Sequence, residues 1–364
     1  MKKVFVITSY IVAAIAAISC AKTETIGPND AYKRYFEAWM HINHPDLQST
    51  GLGIYILNDE QGTGKKVGKD GFVLVDYRST DLEGNFTYCT DALTAKQLGT
   101  YDKTYYYGPK FLTTAETTLP AGFRDAILGQ PVGTSRTVII PSWLMSYQAY
   151  DSEADYLNPP IKKNEEYDAS SFSNSIYEFT IIDYTEDMNK WQIDSIGRFF
   201  NNSKVLVDGK PASQIFKKSG ANMTAADSTS YGFYYKQIKA PENTDKFSND
   251  TTIYINYVGK LLNGLVFDTN IERVAKDNNL YSSNNKYEPM QINWGEEYSD
   301  LTMGSDNSSM ITGFAKTLWQ MKAMEKGVGV FFSNLGYGYS GSGSSIPAYS
   351  PLIFEIELVA APED

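Results

Sequence analysis

The passage that most constrains this chain runs from Met310 to Leu358. It opens on a glycine–aromatic pair, Gly313-Phe314. Phe314, Leu318 and Met321 then fall at i, i+4 and i+7, the spacing of one face of a short helix. Val328 to Phe332 reads as a strand. It leads into a long Gly/Ser loop with Tyr337 near its start and Ile346-Pro347 near its end. The last strand, Leu352 to Leu358, alternates apolar and acidic residues, which predicts one buried face and one wet face.

Several kinds of chemistry are excluded. The two histidines, His41 and His44, lie far upstream of this passage, so no Ser-His-Asp or Cys-His arrangement can be built within it. As H-x-x-H they lack the further ligands that a metal site needs. Gly341-Ser342-Gly343-Ser344 lies between Tyr337 and Ile346 rather than at a strand-to-helix turn, so it reads as a flexible flap and not a phosphate cradle. With 32 Lys and Arg against 43 Asp and Glu, the net charge of −11 argues against nucleic acid, which favours a basic stripe. No metal and no cofactor is implied.

Two motifs give the chain a family resemblance. Met310-Ile311-Thr312-Gly313-Phe314, Gly336-Tyr337-Gly338, Ile346-Pro347 and Leu352-Ile353-Phe354 follow the order of V-I-x-G-aromatic, A-Y-G, I-P and L-x-F. Upstream, Tyr257-Val258-Gly259-Lys260-Leu261-Leu262-Asn263-Gly264-Leu265-Val266-Phe267-Asp268 matches Y-x-G-x-L-x-D-G-x-x-F-D, with Asn263 in place of the first Asp. In both, the chain resembles FKBP-type peptidyl-prolyl cis-trans isomerases over roughly residues 231–360. The resemblance implies a pocket for the proline of an X-Pro segment. Phe314 would floor it, where Trp is commoner. Tyr257, Phe267, Met290, Met310, Ile311 and Phe354 would wall it. The Ile311 N–H and the Tyr337 hydroxyl would bind substrate carbonyls. Asp268 would orient Tyr257, and Ile346 would close the flap. Met290 rests on the looser match Pro289-Met290-Gln291-Ile292, with Tyr287 as its competitor.

The same text recurs upstream. Gly53-Ile54-Tyr55 echoes Gly232-Phe233-Tyr234, Tyr77 echoes Tyr257, and Gly122-Phe123 echoes Gly313-Phe314. The offset from Gly122 to Ile140 equals that from Gly313 to Phe331. The fold expected is therefore α+β: two tandem FKBP-like domains, each a curved antiparallel sheet wrapped around a short helix, plus N-terminal and interdomain helices. The expected parts are a leader over 1–19, a tether and helix over 20–50 with Tyr35, Trp39 and Ile42 on one face, a degenerate domain over 51–184 whose first strand runs from Gly51 to Leu57, an interdomain helix and linker over 185–230 whose part from 204 is a mixed loop with a short helix, and an isomerase domain over 231–360. The first copy has drifted. Ser79 replaces the glycine, Asn85-Phe86-Thr87-Tyr88 lacks the Asp, and Pro120 stands where Ile311 offers its N–H, which proline does not have. An acidic insertion, about Ser146 to Asn174, replaces the short loop. It reads as a solvated flap or, on the sharper reading, as a contact for an envelope protein partner.

Lys2 and Lys3 followed by the apolar run Val4 to Ile18 read as an export signal, too short for a comfortable membrane span. Ser19-Cys20 resembles a bacterial lipoprotein cleavage site. Cys20 would then be the lipidated N-terminus of a protein anchored in the cell envelope and facing the periplasm or exterior. Cys89 would remain as the lone thiol, a half-buried strand residue. The check is metabolic labelling with a fatty-acid analogue: label is expected on the wild type and lost in Cys20→Ala, and labelling that persists in the variant contradicts the assignment.

Overall fold

The computed structural model describes residues 28–115, 118–145, 173–218 and 220–362. The leader, Cys20, the tether before Pro28 and almost all of the acidic insertion lie outside these residues.

In chain order the elements are α1 (Pro28–Asn43), β1 (Tyr55–Glu60), β2 (Phe72–Thr80), β3 (Phe86–Cys89), α2 (Ala92–Gln97), β4 (Lys110–Thr113), α3 (Ala121–Ile127), β5 (Ser135–Ile140) and β6 (Ser175–Thr185). Next come α4 (Met188–Phe199), the short strands β7 (Leu206–Val207) and β8 (Lys210–Pro211), and α5 (Ala212–Ile215). The rest comprises β9 (Phe233–Lys239), β10 (Thr252–Leu261), β11 (Val266–Thr269), α6 (Glu272–Asp277), β12 (Met290–Asn293), β13 (Thr302–Met303), β14 (Ser308–Ser309), α7 (Thr312–Gln320), β15 (Lys326–Phe331) and β16 (Leu352–Val359).

Two antiparallel sheets share one strand order. The first runs β1-β5-β6-β2, with β3 and β4 both on the far edge of β2. The second runs β9-β15-β16-β10, with β11 and β12 both on the far edge of β10, and β13 and β14 extending it past β12. The registers agree as well: Tyr77 faces Phe179 and Ser79 faces Tyr177, as Tyr257 faces Ile356 and Gly259 faces Phe354. A short helix lies across each sheet at a glycine. A Cβ on Gly122 would meet Ile140 at 2.4 Å, and one on Gly313 would meet Phe331 at 2.3 Å. Such distances exclude any side chain, so a glycine at each helix start lets the backbone touch the sheet. Each sheet then buries its own apolar cluster, one around Phe123, Val138 and Ile181, the other around Phe314, Leu318 and Phe354.

Three expectations need correction. The outer face of the terminal strand β16 is wet only toward its end: Glu355 is 7% exposed, while the Glu357 side chain is 34% exposed. The side of the second sheet that the alternation assigns to water is covered by residues 196–216 and Met223, where Ile196, Phe200, Val205 and Phe216 pack on Tyr234, Val328, Val330 and Ile353. Glu355 survives there because Lys260 bonds to it and the Asp208 N–H donates to it at 3.1 Å. A carboxylate taken out of water needs both kinds of partner. The segment expected as a mixed loop is thus the outer layer of the second sheet. Secondly, of Tyr35, Trp39 and Ile42 only Trp39 packs inward from α1. Ile42 is 77% exposed, Tyr35 bonds outward to Glu83, and the buried pair is Phe36 and Met40 at i and i+4, packed on Leu82 and Ile139. Lastly, the first strand starts at Tyr55 rather than Gly51. Gly53 takes a positive φ of 116° beneath the Trp143 ring, and the chain bends there instead of pairing.

Candidate functional site

The site begins with the pairing of β10 and β16. Successive side chains in a strand alternate faces, so Tyr257 and Gly259 share the inner face with their partners Ile356 and Phe354. A Cβ on Gly259 would lie 2.7 Å from the Phe267 ring and 3.0 Å from Phe354. The missing side chain is what lets Phe267, on β11, and Phe354, on β16, come together over β10. Phe354 is the hub. It meets Phe267 edge-on at 5.6 Å and Phe314 edge-on at 4.9 Å, and it stacks on Phe331 at 5.9 Å. Phe314 also meets Tyr257 edge-on, at 5.6 Å. Edge-to-face pairs of this kind place a positive ring edge on a negative face and hold one another in place. Phe314 and Phe354, both 4% exposed, form a floor, and half-buried Phe267, Met290, Met310, Ile311 and Tyr337 pack around it. Tyr287, the competitor of Met290, is engaged elsewhere. Its hydroxyl accepts from the Ser282 N–H at 2.9 Å, and its ring stacks on Tyr281.

Four polar groups border this floor, the Tyr257 and Tyr337 hydroxyls, the Asp268 carboxyl and the Ile311 N–H. The Tyr257 hydroxyl donates to Asp268 at 2.9 Å. Thr269 and Asn270 fix the Tyr257 backbone: its N–H donates to Asn270 at 2.8 Å, and its carbonyl accepts from Thr269 at 2.6 Å. Neither residue stood out in the sequence, since a side chain that bonds a neighbouring strand's backbone leaves no periodic mark. Burial pushes the Asp268 carboxyl above the usual carboxylate range, against the opposing pull of the Tyr257 hydroxyl and the Thr269 N–H. Burial raises the Tyr257 phenol too, and the Asp268 charge adds to it. Burial raises the Tyr337 phenol as well, and the Asp268 charge adds to it. Ile311 stands just ahead of α7 with φ −64° and ψ 143°. Its N–H has no acceptor among the described residues, so a backbone donor is left on offer beside the rings.

The loop after β15 closes the arrangement. Ser342 and Ile346 exchange backbone hydrogen bonds at 2.8 and 3.1 Å, and Ile346 is buried with the ring cluster. Gly341 is required at this turn. Its φ is +66°, and a Cβ there would sit 2.2 Å from the Ile346 carbonyl. The fold therefore gathers all ten proposed pocket residues, Tyr257, Phe267, Asp268, Met290, Met310, Ile311, Phe314, Tyr337, Ile346 and Phe354, on one side of the second sheet.

The equivalent place in the first sheet is built differently. Pro120 stands ahead of α3 with φ −53° and ψ 137°, close to the angles of Ile311, but it has no N–H. Ser79 carries a side chain where Gly259 has none, and the residue packed over it is Thr87, bonded to it at 2.8 Å. In the register, Tyr88 replaces Asp268 and stacks on Tyr77 at 4.8 Å. Lys110 replaces Met290, and its ammonium lies 5.3 Å from the centre of the Tyr88 ring. Among the described residues, the first site thus holds no carboxylate beside Tyr77, and an extra ring lies across it. Far from either site, His44 packs on Trp39 at 5.3 Å.

Comparison with known proteins bears on the second sheet. The model of the family of FKBP-type peptidyl-prolyl cis-trans isomerases matches residues 243–359, a span that contains all ten residues. A probable FKBP-type peptidyl-prolyl cis-trans isomerase of Haemophilus influenzae is 28% identical over 144 residues, 40% of this chain and 48% of that protein. The chain therefore spans about half the length of that relative. FK506-binding protein 2 of Yarrowia lipolytica is 30% identical over 129 residues, 35% of this chain and 73% of that protein. A crystal structure of the 3 FKBP domains of wheat FKBP73 aligns with 85% of this chain and 95% of its own, at 13% identity and a TM-score of 0.26.

The raised Asp268 pKa carries a stability prediction. A carboxyl whose pKa is higher folded than unfolded favours the fold below the unfolded pKa, and that contribution is lost as pH rises through the folded value. Asp268 is itself exposed on β11, so water screens much of this effect and leaves only a small net cost on its charge at neutral pH. Asp268→Asn is expected to melt at a higher temperature than wild type at pH 7, with the margin shrinking as pH is lowered through the raised pKa. Thermal melts from pH 7 to pH 4 check this, and a margin that does not change with pH contradicts it.

Proposed function

This chain belongs to the FKBP-type peptidyl-prolyl cis-trans isomerase family, and from that premise we propose that its second sheet, with α7, catalyses prolyl cis/trans isomerisation. The observation that carries the reading is the joint presence of the buried Phe314–Phe354 floor, the Tyr257–Asp268 pair, the unused Ile311 N–H and Tyr337 around one patch. The barrier to be lowered is rotation about an X-Pro amide, about 18–20 kcal/mol. Planar amides are more dipolar than twisted ones, because resonance separates charge. A dry ring-lined floor therefore disfavours the planar ground state relative to the twisted transition state. The Ile311 N–H and the Tyr337 hydroxyl hold carbonyls flanking the proline, so that rotation occurs about the one bond between them. A ten-thousandfold acceleration requires only about 5.5 kcal/mol of such differential binding.

On this reading the two sheets are tandem copies of one unit, and the first is inactive. Pro120 has no proton to donate, and Tyr88 lies where the proline ring would enter. The substrates are X-Pro segments of exported proteins, met outside the cytoplasm by a chain tethered through a lipid on Cys20. A second reading makes the protein a non-catalytic holder of unfolded chains or part of an envelope complex, and the filled first site favours it for that half of the molecule. A protease-free prolyl isomerisation assay on the soluble chain from residue 21 separates the readings. Wild type is expected to accelerate exchange of an X-Pro peptide, with Tyr337→Phe losing about tenfold, the worth of one substrate hydrogen bond. Asp268→Val and Phe314→Ala are expected to lose more. Folded wild type without acceleration, or variants that keep full rate, would overturn the proposal.

A further inference from the structure

The loop that carries Tyr337 and Ile346 is held from outside its own sheet. At its start, the Ser333 N–H donates to Gln192 of α4 at 2.7 Å, and Asn334 donates to Asn189 at 3.1 Å. At its tip, the Tyr106 N–H of the first sheet's β3–β4 connection donates to the Ser344 carbonyl at 3.0 Å, and the Tyr106 side chain packs against the second sheet's apolar cluster. Near its end, Phe72 and Phe111 of the first sheet meet Tyr349 edge-on at 5.1 and 6.3 Å. These anchors are themselves fixed. Phe111 meets Trp191 edge-on at 4.6 Å, Trp191 donates to Asp183 at 2.7 Å, and the Tyr106 hydroxyl donates to the Pro109 carbonyl at 3.1 Å. Tyr349 takes a left-handed φ of +59°. A bulky residue adopts that conformation only where its surroundings over-determine it. Between the tip and the first sheet lies a cavity of about 450 Å³, lined by Tyr105, Lys110, Leu112, Ser340, Gly343 and Ile346. A Gly/Ser tip beside open space would wander without the Tyr106 contact.

We propose that the first sheet has become the positioning element for the flap of the second, with Tyr106 as its positioning residue. The inference rests on the reading of Tyr337 and Ile346 as groups that face the peptide. A flap already held in place loses less freedom when the peptide arrives, so the contact strengthens binding without touching the rotating bond. The isomerase-like scaffold of the first sheet is then retained for its β3–β4 connection and its outer rings, not for its filled site.

The test compares Tyr106→Ala and Phe111→Ala in the full chain with Tyr101→Ala as control. Tyr101 stacks on Tyr107, on the same connection. One readout is hydrogen exchange at the Ser342 and Ile346 amides, set against amides of the β10–β16 ladder. The other is KM and kcat on an X-Pro peptide. Both variants are expected to speed flap exchange by about tenfold and to raise KM by about fivefold with kcat within about twofold, the pattern of lost uniform binding. The control and the ladder amides are expected to stay at wild-type values. Phe111→Ala keeps the test open should Tyr106→Ala fail to fold, since it removes a separate anchor, the ring set against Tyr349. Flap exchange at the wild-type rate in the folded variants overturns the proposal. If wild type shows no turnover, the isomerase reading fails separately, and the exchange rates alone decide the positioning role.

Discussion

The second sheet is organised around one ring, Phe354, and around the side chain that its partner lacks. β16 presents Phe354 opposite Gly259, and because nothing projects from Gly259 the Phe267 ring closes over the strand to meet it. From there the contacts are forced. Phe331 stacks beneath, Phe314 turns its edge to the same face, and Tyr257 turns to Phe314. The polar groups inherit their places from this packing. Asp268 comes directly after Phe267 in sequence, so the strand that delivers the ring also delivers the carboxylate to the Tyr257 hydroxyl. The dry floor itself is the Phe314–Phe354 pair, and Asp268 stands at its exposed edge with a pKa that partial burial raises.

In the first sheet that constraint is relaxed within the same topology. Once Ser79 occupies the place of the glycine, a large ring can no longer lie over the strand, and Thr87 stands there with a hydroxyl contact instead. Tyr88 then turns onto Tyr77, and Lys110 sits over Tyr88. Gly122 still lets α3 touch Ile140, so the scaffold persists while the site is rebuilt. Fold and site therefore depend on different glycines. One sets the helix against the sheet and is present beside both sheets; the other sets ring against ring and is present in one.

Much of this architecture was legible in the residues. Gly313, Phe314, Leu318 and Met321 announced α7 and its buried face, and the ten pocket positions lie in motif order along the chain. Three features were not legible, each for a physical reason. The burial of Glu355 depends on Asp208 and on the apolar layer of residues 196–216 and Met223, remote in sequence, and local alternation cannot report a cover supplied from elsewhere. The docking face of α1 is set by Leu82 and Ile139, so helical spacing offered Tyr35 and Ile42 as readily as Phe36 and Met40. The bond from Tyr106 to Ser344 joins backbone atoms, which carry no residue code at all.

The central question is where an X-Pro peptide sits. The most direct measurement is a proton–nitrogen correlation titration of the soluble chain from residue 21 with an unlabelled X-Pro peptide. A proline pocket on the second sheet predicts shifts that grow with peptide at the amides of Asp268, Ile311 and Ile346, with the amides of Tyr77 and Phe123 unmoved. Shifts centred on Tyr77 and Phe123, or no shifts in a folded protein at millimolar peptide, would contradict it.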